Sequence, residues 1–237
     1  GEHPMTTVYE QEALRNLTHV FTDRRQAGQT VGAMLAPHYR EASDAIVLAI
    51  PMGGVPVALE IQAQLKCPMD LAIVRKIQIP GNTEAGFGAI TGEGDIILNE
   101  PLMAQLELTE DQVARQWAKV RTELTQRNLR LRGERPLPEV AGKTVILVDD
   151  GLASGYTMKA ALFMVKKRKA AKTVVAVPTS PQRTIDALAD SPDEIYCANI
   201  RETYAFAVAE TYENWHDLAE EEVVAMLADA GKAVIGP

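Results

Sequence analysis

Cysteine and aromatic residues are scarce in this chain of 237 residues. Only two cysteines are present, and phenylalanine, tyrosine and tryptophan together make up 5% of the sequence. Cys67 and Cys197 each lie in an apolar segment with no second metal ligand at zinc spacing. This pattern predicts buried free thiols and argues against a disulfide scaffold or a zinc site. Because free thiols persist in reducing compartments, we expect a cytoplasmic protein.

Long apolar runs and an excess of positive charge are absent as well. No apolar run reaches the length of a membrane span, and the first residues lack the pattern of a signal peptide. Acidic residues outnumber basic ones by 32 to 24, and the net charge of −8 argues against general nucleic-acid binding. Length and composition fit one globular domain, which we place at residues 5–237.

The chain is organised around residues 145–158, VILVDDGLASGYTM. The apolar run predicts a buried central strand, and Asp149 and Asp150 stand where that strand ends, at the carboxyl edge of a parallel sheet. A loop of small residues leads from there into a helix, whose first N–H groups are free to bind an anion. The stretch therefore predicts an anion-binding loop beside two carboxylates.

A second unit of the same kind comes earlier in the chain. Residues 45–50 predict a strand that runs into a turn containing Gly53 and Gly54, and a helix follows to about Leu65. Residues 70–74 predict the next strand, which ends in Arg75 and Lys76. The following residues, 77–88, contain three glycines and a Pro-Gly pair, which predicts a long loop of the kind that serves as a lid.

Strands and helices alternate along the rest of the chain, which predicts a doubly wound, mainly parallel sheet. Residues 89–98 indicate a small hairpin, and Thr109 with Gln112 indicates a capping box at the start of a long helix. That helix has a basic face, which we interpret as a solvated surface or a homodimer contact: Arg115, Lys119, Arg121, Arg127, Arg130 and Arg132. The aromatic residues near the C-terminal end form either a packed lobe beside the sheet or ordinary core: Tyr204, Phe206, Tyr212 and Trp215.

Together these motifs resemble the type I phosphoribosyltransferases, in particular a poorly characterised bacterial and archaeal branch. The strand, the acidic pair, Ser154-Gly155 and Thr157 follow one another at the spacing of that family, and the resemblance extends over residues 21–215. It implies an α/β fold with a small hood lobe and an inserted long helix. It also implies an Mg²⁺-dependent enzyme of nucleotide metabolism, which transfers the phosphoribosyl group of phosphoribosyl pyrophosphate to a base or amine and releases pyrophosphate.

The resemblance also assigns roles to residues. It implies catalytic roles for Arg75, Lys76, Asp149 and Asp150, with the two aspartates accepting hydrogen bonds from ribose hydroxyls and holding Mg²⁺ through substrate or water. Arg75 and Lys76 are expected to stabilise the leaving pyrophosphate, helped by backbone amides of the Gly53-Gly54 turn. The expected phosphoribosyl pyrophosphate-binding residues are Met52, Gly53, Gly54, Gly151, Leu152, Ala153, Ser154, Gly155, Tyr156 and Thr157.

Two positions depart from the family pattern. The family usually carries Lys or Arg where this chain has Met52, so one cation is missing from the pyrophosphate subsite. Members with a 6-oxopurine acceptor carry Asp in place of Ala153, which disfavours hypoxanthine or guanine here, and Glu84 is an alternative base. A sensor that binds the same ligand and regulates a partner with little turnover is the competing interpretation. A phosphohydrolase-like or dinucleotide-binding protein is disfavoured because no Gly-x-Gly-x-x-Gly follows a strand.

Overall fold

Nine strands and seven α-helices form the computed structural model, which describes residues 5–133, 135–136 and 138–231, with only the backbone of residues 82–85. The strands are β1 (Thr7–Glu10), β2 (Ala45–Ala49), β3 (Met69–Leu71), β4 (Val74–Ile79), β5 (Asn82–Thr91), β6 (Ile96–Leu98), β7 (Thr144–Val148), β8 (Lys172–Pro181) and β9 (Glu194–Arg201). The helices are α1 (Arg24–Tyr39), α2 (Gly54–Leu65), α3 (Glu100–Gln105), α4 (Glu110–Arg132), α5 (Tyr156–Lys167), α6 (Gln182–Leu188) and α7 (Glu220–Ala230).

The main sheet has six strands in the order β1-β9-β8-β7-β2-β3, and every neighbouring pair is parallel. Side chains of a strand point alternately to opposite faces. Val47 and Ala49 of β2 therefore pack with α1 and α2, whereas Ile46 and Leu48 pack with α5 and α6. Burial of both faces explains the continuous apolar runs of β2 and β7. The predicted doubly wound parallel sheet is confirmed.

A second, antiparallel sheet of β4, β5 and β6 forms a separate layer, with α5 on one side and α3 and α4 beside it. The predicted lid loop at 77–88 is wrong, because β4 and β5 form a hairpin there and Pro80 with Gly81 makes only its turn. The remaining glycines serve close packing inside a strand. A Cβ at Gly86 would lie 2.3 Å from Lys76 Cγ, and one at Gly88 would lie 2.5 Å from the carbonyl oxygen of Ile97.

One further strand prediction changes, and one strand was not predicted. The predicted strand at 70–74 divides, because the main sheet ends with β3 at Leu71 and the chain enters the second sheet at Val74. Arg75 and Lys76 consequently lie inside β4 and not at the root of a loop. Near the N-terminus, a segment without a clear strand pattern contains β1, which extends the main sheet by pairing with β9.

The long inserted helix begins as predicted, since the side chain of Thr109 accepts from the backbone of Gln112 in a capping box. Its basic face is not uniformly solvated. Arg132 is 2% exposed and forms an ion pair of 3.0 Å with Asp70 of β3. The interpretation of that face as a surface or dimer contact is therefore wrong for Arg132.

The remaining expectations about the core concern the cysteines and the membrane. Cys67 and Cys197 are both buried and free, as predicted, and burial raises the pKa of the Cys67 thiol to about 11. Across the part of the chain that the structure describes, the helices are too short or too polar to cross a bilayer.

Candidate active site

The site lies at the carboxyl edge of the main sheet, where the turn after β2 meets the loop after β7. The two strands are parallel neighbours, with Ala49 opposite Val148, so both loops leave the sheet at the same level. With β4 they enclose a cavity of about 380 Å³. Most of the predicted site residues line it: Met52, Gly53, Arg75, Lys76, Asp149, Gly151, Leu152, Ala153, Ser154, Gly155 and Thr157.

Three of the predicted site residues do not line this cavity. Gly54 is the first residue of α2, and its N–H already donates to the carbonyl of Ile50 at 3.0 Å. It therefore has no amide to offer to pyrophosphate, which corrects the role expected for it. Tyr156 opens α5 with Lys159 over its ring. Asp150 turns towards α1, away from the cavity.

The loop from Gly151 to α5 is shaped to present backbone N–H groups. Within the described residues, the N–H groups of residues 153–157 make no hydrogen bond to another part of the chain. Gly155 has a φ of +89°, and a Cβ there would lie 2.9 Å from Thr184 Cγ2, so this turn requires glycine. The hydroxyl of Thr184 donates to the carbonyl of Ala153 and fixes the loop from behind. Five consecutive unbonded amides at the start of a helix form a site for an anion such as phosphate.

Asp150 supports the site from behind. Its carboxylate accepts from Arg24 Nε at 3.0 Å, and Arg24 also donates to the carbonyl of His216 and stacks 3.9 Å from the Trp215 ring centroid. The hydroxyl of Tyr212 donates to the carbonyl oxygen of Asp150 at 2.6 Å. Tyr212 and Trp215 of the C-terminal segment thus help to hold Asp150 in place, whereas Tyr204 is 99% exposed, so the expectation of a packed lobe or core is wrong for that residue. Sequence analysis missed the function of Tyr212 and Trp215, because their partners are far away in the chain.

Asp149 is the carboxylate that faces the cavity, and its Oδ1 accepts from the backbone N–H of Asp150. Burial and then the negative charge of Asp150 raise the pKa of Asp149 well above its usual range. Burial raises the pKa of Asp150 as well, although the Arg24 guanidinium opposes this shift. Ionisation of Asp149 therefore costs free energy in the folded protein, and a cationic partner in the cavity would recover that cost.

This electrostatic cost predicts how stability depends on pH. When the pKa of an aspartate is higher in the folded state than its unfolded value of about 3.9, the folded protein loses stability as pH rises from about 4 through the folded pKa. We expect Asp149→Asn to match the wild type near pH 4 and to be the more stable protein at pH 8, in urea denaturation with a chelator present. The exposed Asp217→Asn is the matched control. A difference that does not change with pH would contradict the prediction.

Three cationic side chains line the same cavity, and one of them was not among the predicted site residues. Arg75 donates from Nε to Glu123 Oε2 at 2.7 Å, and Lys76 lies one residue further along β4. Arg127 of α4 also lines the cavity, although sequence analysis placed it on a solvated or dimer-forming face. Helical spacing could have revealed it, because Leu124 and Leu131 are buried and position 127 lies between them on the same face.

Comparison with known proteins settles which family has this architecture. The sequence profile described as the phosphoribosyl transferase domain matches residues 20–214. The chain belongs to the phosphoribosyltransferase family. This confirms the resemblance that the motifs of the sequence carried, and the parallel sheet and its carboxyl-edge loops are those expected of a type I phosphoribosyltransferase.

Two relatives illustrate the position of the chain within this family. A Mycobacterium tuberculosis protein provisionally named a phosphoribosyl transferase is 35% identical over 208 residues, which are 88% of this chain and 46% of that protein. This phosphoribosyltransferase domain thus spans about half the length of the curated relatives it matches. A solved structure from Thermus thermophilus is 34% identical with a TM-score of 0.69, and the alignment covers 88% of this chain and 98% of that one.

Proposed function

We propose that this protein transfers the 5-phosphoribosyl group of phosphoribosyl pyrophosphate to an acceptor base or amine and releases pyrophosphate. One observation carries the proposal: the unbonded N–H groups of residues 153–157 open α5 in the same cavity as Asp149. A phosphate dianion is held well by such amides together with the hydroxyls of Ser154 and Thr157. Asp149 is then the acceptor for hydrogen bonds from the ribose hydroxyls.

Mg²⁺ fits the chemistry of this site. Within the described residues, no group of three or more His, Cys, Asp or Glu side chains could hold a metal alone. That matches Mg²⁺ in nucleotide enzymes, which is bound by one or two carboxylates together with substrate phosphates and water. Asp149, backed by Asp150, would hold it through substrate or water. When bound, Mg²⁺ supplies positive charge against the negative charge that develops on the leaving pyrophosphate.

The side chains of this chain account for the chemical step. The bond between C1 of the ribose and the pyrophosphate oxygen breaks, and its electron pair leaves with pyrophosphate. A lone pair of an acceptor nitrogen forms the new bond to C1. Arg75 and Lys76 stabilise the departing charge, since both line the cavity from β4. Ala153 offers no carboxylate to move a proton on a 6-oxopurine. The side chain of Glu84, the alternative base, lies outside the described residues.

A ligand-binding experiment tests the proposal. Phosphoribosyl pyrophosphate with Mg²⁺ at about 100 times its Kd should stabilise the folded state by about 2.7 kcal/mol. For a chain of this size, the corresponding rise in melting temperature is roughly 5–10 °C. Ribose without phosphate serves as the control ligand and should give no rise. An unchanged melting temperature at millimolar phosphoribosyl pyrophosphate would rule out the proposed function.

Met52 in the cavity favours a second candidate, a sensor that binds the same ligand with little turnover. Its side chain cannot supply the charge that a Lys or Arg would place beside the leaving group. Pyrophosphate release followed across a panel of bases and amines separates the two functions. We expect release with at least one acceptor, whereas binding without release across the panel would favour the sensor.

A further inference from the structure

We infer that Arg127 of the inserted helix α4 binds the pyrophosphate group and supplies the positive charge that Met52 does not. The inference rests on the proposed function, because it assigns a residue to the leaving-group end of that same site. It makes the inserted helix a part of the active site and not merely an addition to the fold.

The helix places Arg127 in the cavity by its spacing. Val120, Leu124 and Leu131 are buried on the inward face of α4, and Arg127 follows Leu124 by three residues on that face. Because α4 packs against β4, Arg127 lines the cavity close to Arg75, and its charge interacts with that of Arg75. The unbonded amides at the start of α5 belong to the loop after β7, so the cavity offers two separate anion-binding elements.

Among the described residues, Arg127 also differs from Arg130 and Arg132 of the same helix in having no carboxylate within ion-pair distance. Arg132 pairs with Asp70, and Arg130 pairs with Glu220 at 3.1 Å. Arg75 is compensated by Glu123, whereas Arg127 forms no hydrogen bond or ion pair within the part of the chain that the structure describes. Burial and then the positive charge of Arg75 lower the pKa of Arg127, and the carboxylates of Glu220 and Glu123, which lie beyond ion-pair distance, oppose this shift only in part. An anion in the cavity would therefore stabilise the charge of Arg127.

Pyrophosphate fits this arrangement chemically. A guanidinium presents a planar fork of N–H donors that binds two phosphate oxygens at once, and the bond is strengthened by the charge on both partners. A pyrophosphate group brings several negative charges next to Arg75 and Arg127, which removes the repulsion between them. A lysine ammonium at position 127 would keep the charge but lose the fork.

The test compares Arg127→Gln with Arg130→Gln, a matched control one turn away on the exposed side of the same helix. Calorimetric titration with inorganic pyrophosphate and Mg²⁺ should show affinity reduced about tenfold or more for Arg127→Gln. The affinity of ribose 5-phosphate should stay unchanged, and Arg130→Gln should behave as the wild type with both ligands. Arg127→Lys should recover part of the loss and serves as the informative variant if the glutamine protein does not fold.

The outcomes separate this inference from the proposed function. A wild type that binds neither phosphoribosyl pyrophosphate nor pyrophosphate overturns the proposed function. If the wild type binds pyrophosphate only as tightly as Arg127→Gln, the assignment of Arg127 is overturned, while the proposed function stands. Equal weakening of pyrophosphate and ribose 5-phosphate also overturns the assignment, because that would indicate a structural role. Thermal unfolding without ligand supplies a check, since removal of a partly buried charge that has no ion-pair partner should leave the stability unchanged or raise it.

Discussion

Arg132→Ala is expected to destabilise the protein by about 3–5 kcal/mol, because it leaves the carboxylate of Asp70 partly buried without its cation. Arg132 Nε and Nη2 donate to the two oxygens of Asp70 at 3.1 and 3.0 Å. Nη2 also donates to the carbonyl of Pro136 at 2.9 Å. The guanidinium thus ties the end of the inserted helix to the edge strand β3 of the main sheet. Removal of the guanidinium eliminates both the ion pair with Asp70 and this connection between the helix and the sheet.

Arg130→Ala is the matched control for this prediction. Arg130 is two residues away on the same helix, and its partner Glu220 leaves it 63% exposed, so the loss should be about 0–1 kcal/mol. Urea denaturation of both variants and the wild type measures the two costs. Similar losses for both would show that the Arg132 pair is no stronger than a surface contact. A double replacement, Asp70→Leu with Arg132→Met, should recover most of the stability, since it removes both charges.

The basic face of α4 illustrates what sequence could not provide. Six cations on one helix predict a solvated surface, and four-residue periodicity does not say which of them have partners. Arg132 forms an ion pair with Asp70, which lies 62 positions earlier, and Arg130 forms one with Glu220, which lies 90 positions later. Long-range pairing of this kind depends on how the layers stack, so only Arg127 carried a local signal, its position between buried leucines.

The central strand and its loop could be predicted because their signals are local. An apolar run of four residues followed by two aspartates fixes both the burial of β7 and the place of Asp149 at the sheet edge. The hairpin of β4 and β5 could not be predicted in the same way. Its glycines resemble loop residues in sequence, whereas in the folded chain Gly86 and Gly88 leave space for Lys76 and Ile97 of the neighbouring strands to pack closely.

The division of work between the two aspartates likewise required the structure. Adjacent carboxylates after a strand look equivalent in sequence, and both were expected to contact ribose. In the folded chain, alternation sends Asp149 to the cavity and Asp150 to Arg24. A paired replacement of both would therefore mix a change in binding with the loss of a largely buried ion pair. Asp149→Asn alone is the cleaner probe of the ligand site.

Gly53→Ala is expected to reduce the affinity for phosphoribosyl pyrophosphate by about a hundredfold, or about 2.7 kcal/mol. The backbone of Gly53 has a φ of −60°, which alanine adopts without strain, so the effect is purely steric. A Cβ there would lie 1.9 Å from Asp150 Oδ2, and Arg24 holds that carboxylate at 3.0 Å. Either the turn at Met52 moves away from the cavity or the ion pair breaks. Both changes would disturb the part of the cavity to which we assign phosphoribosyl pyrophosphate.

Ligand-induced thermal shifts measure this loss, and Gly92→Ala provides the control. Gly92 lies in another tight turn, where a Cβ would make only ordinary contacts at 3.6 Å, so its replacement should leave affinity unchanged. The steric origin can be tested separately through stability. Gly53→Ala should cost about 1–3 kcal/mol in the wild type but almost nothing in an Asp150→Ala background, where the obstructing carboxylate is gone. Equal costs in both backgrounds would mean that the turn after β2 needs glycine for a reason other than its contact with Asp150.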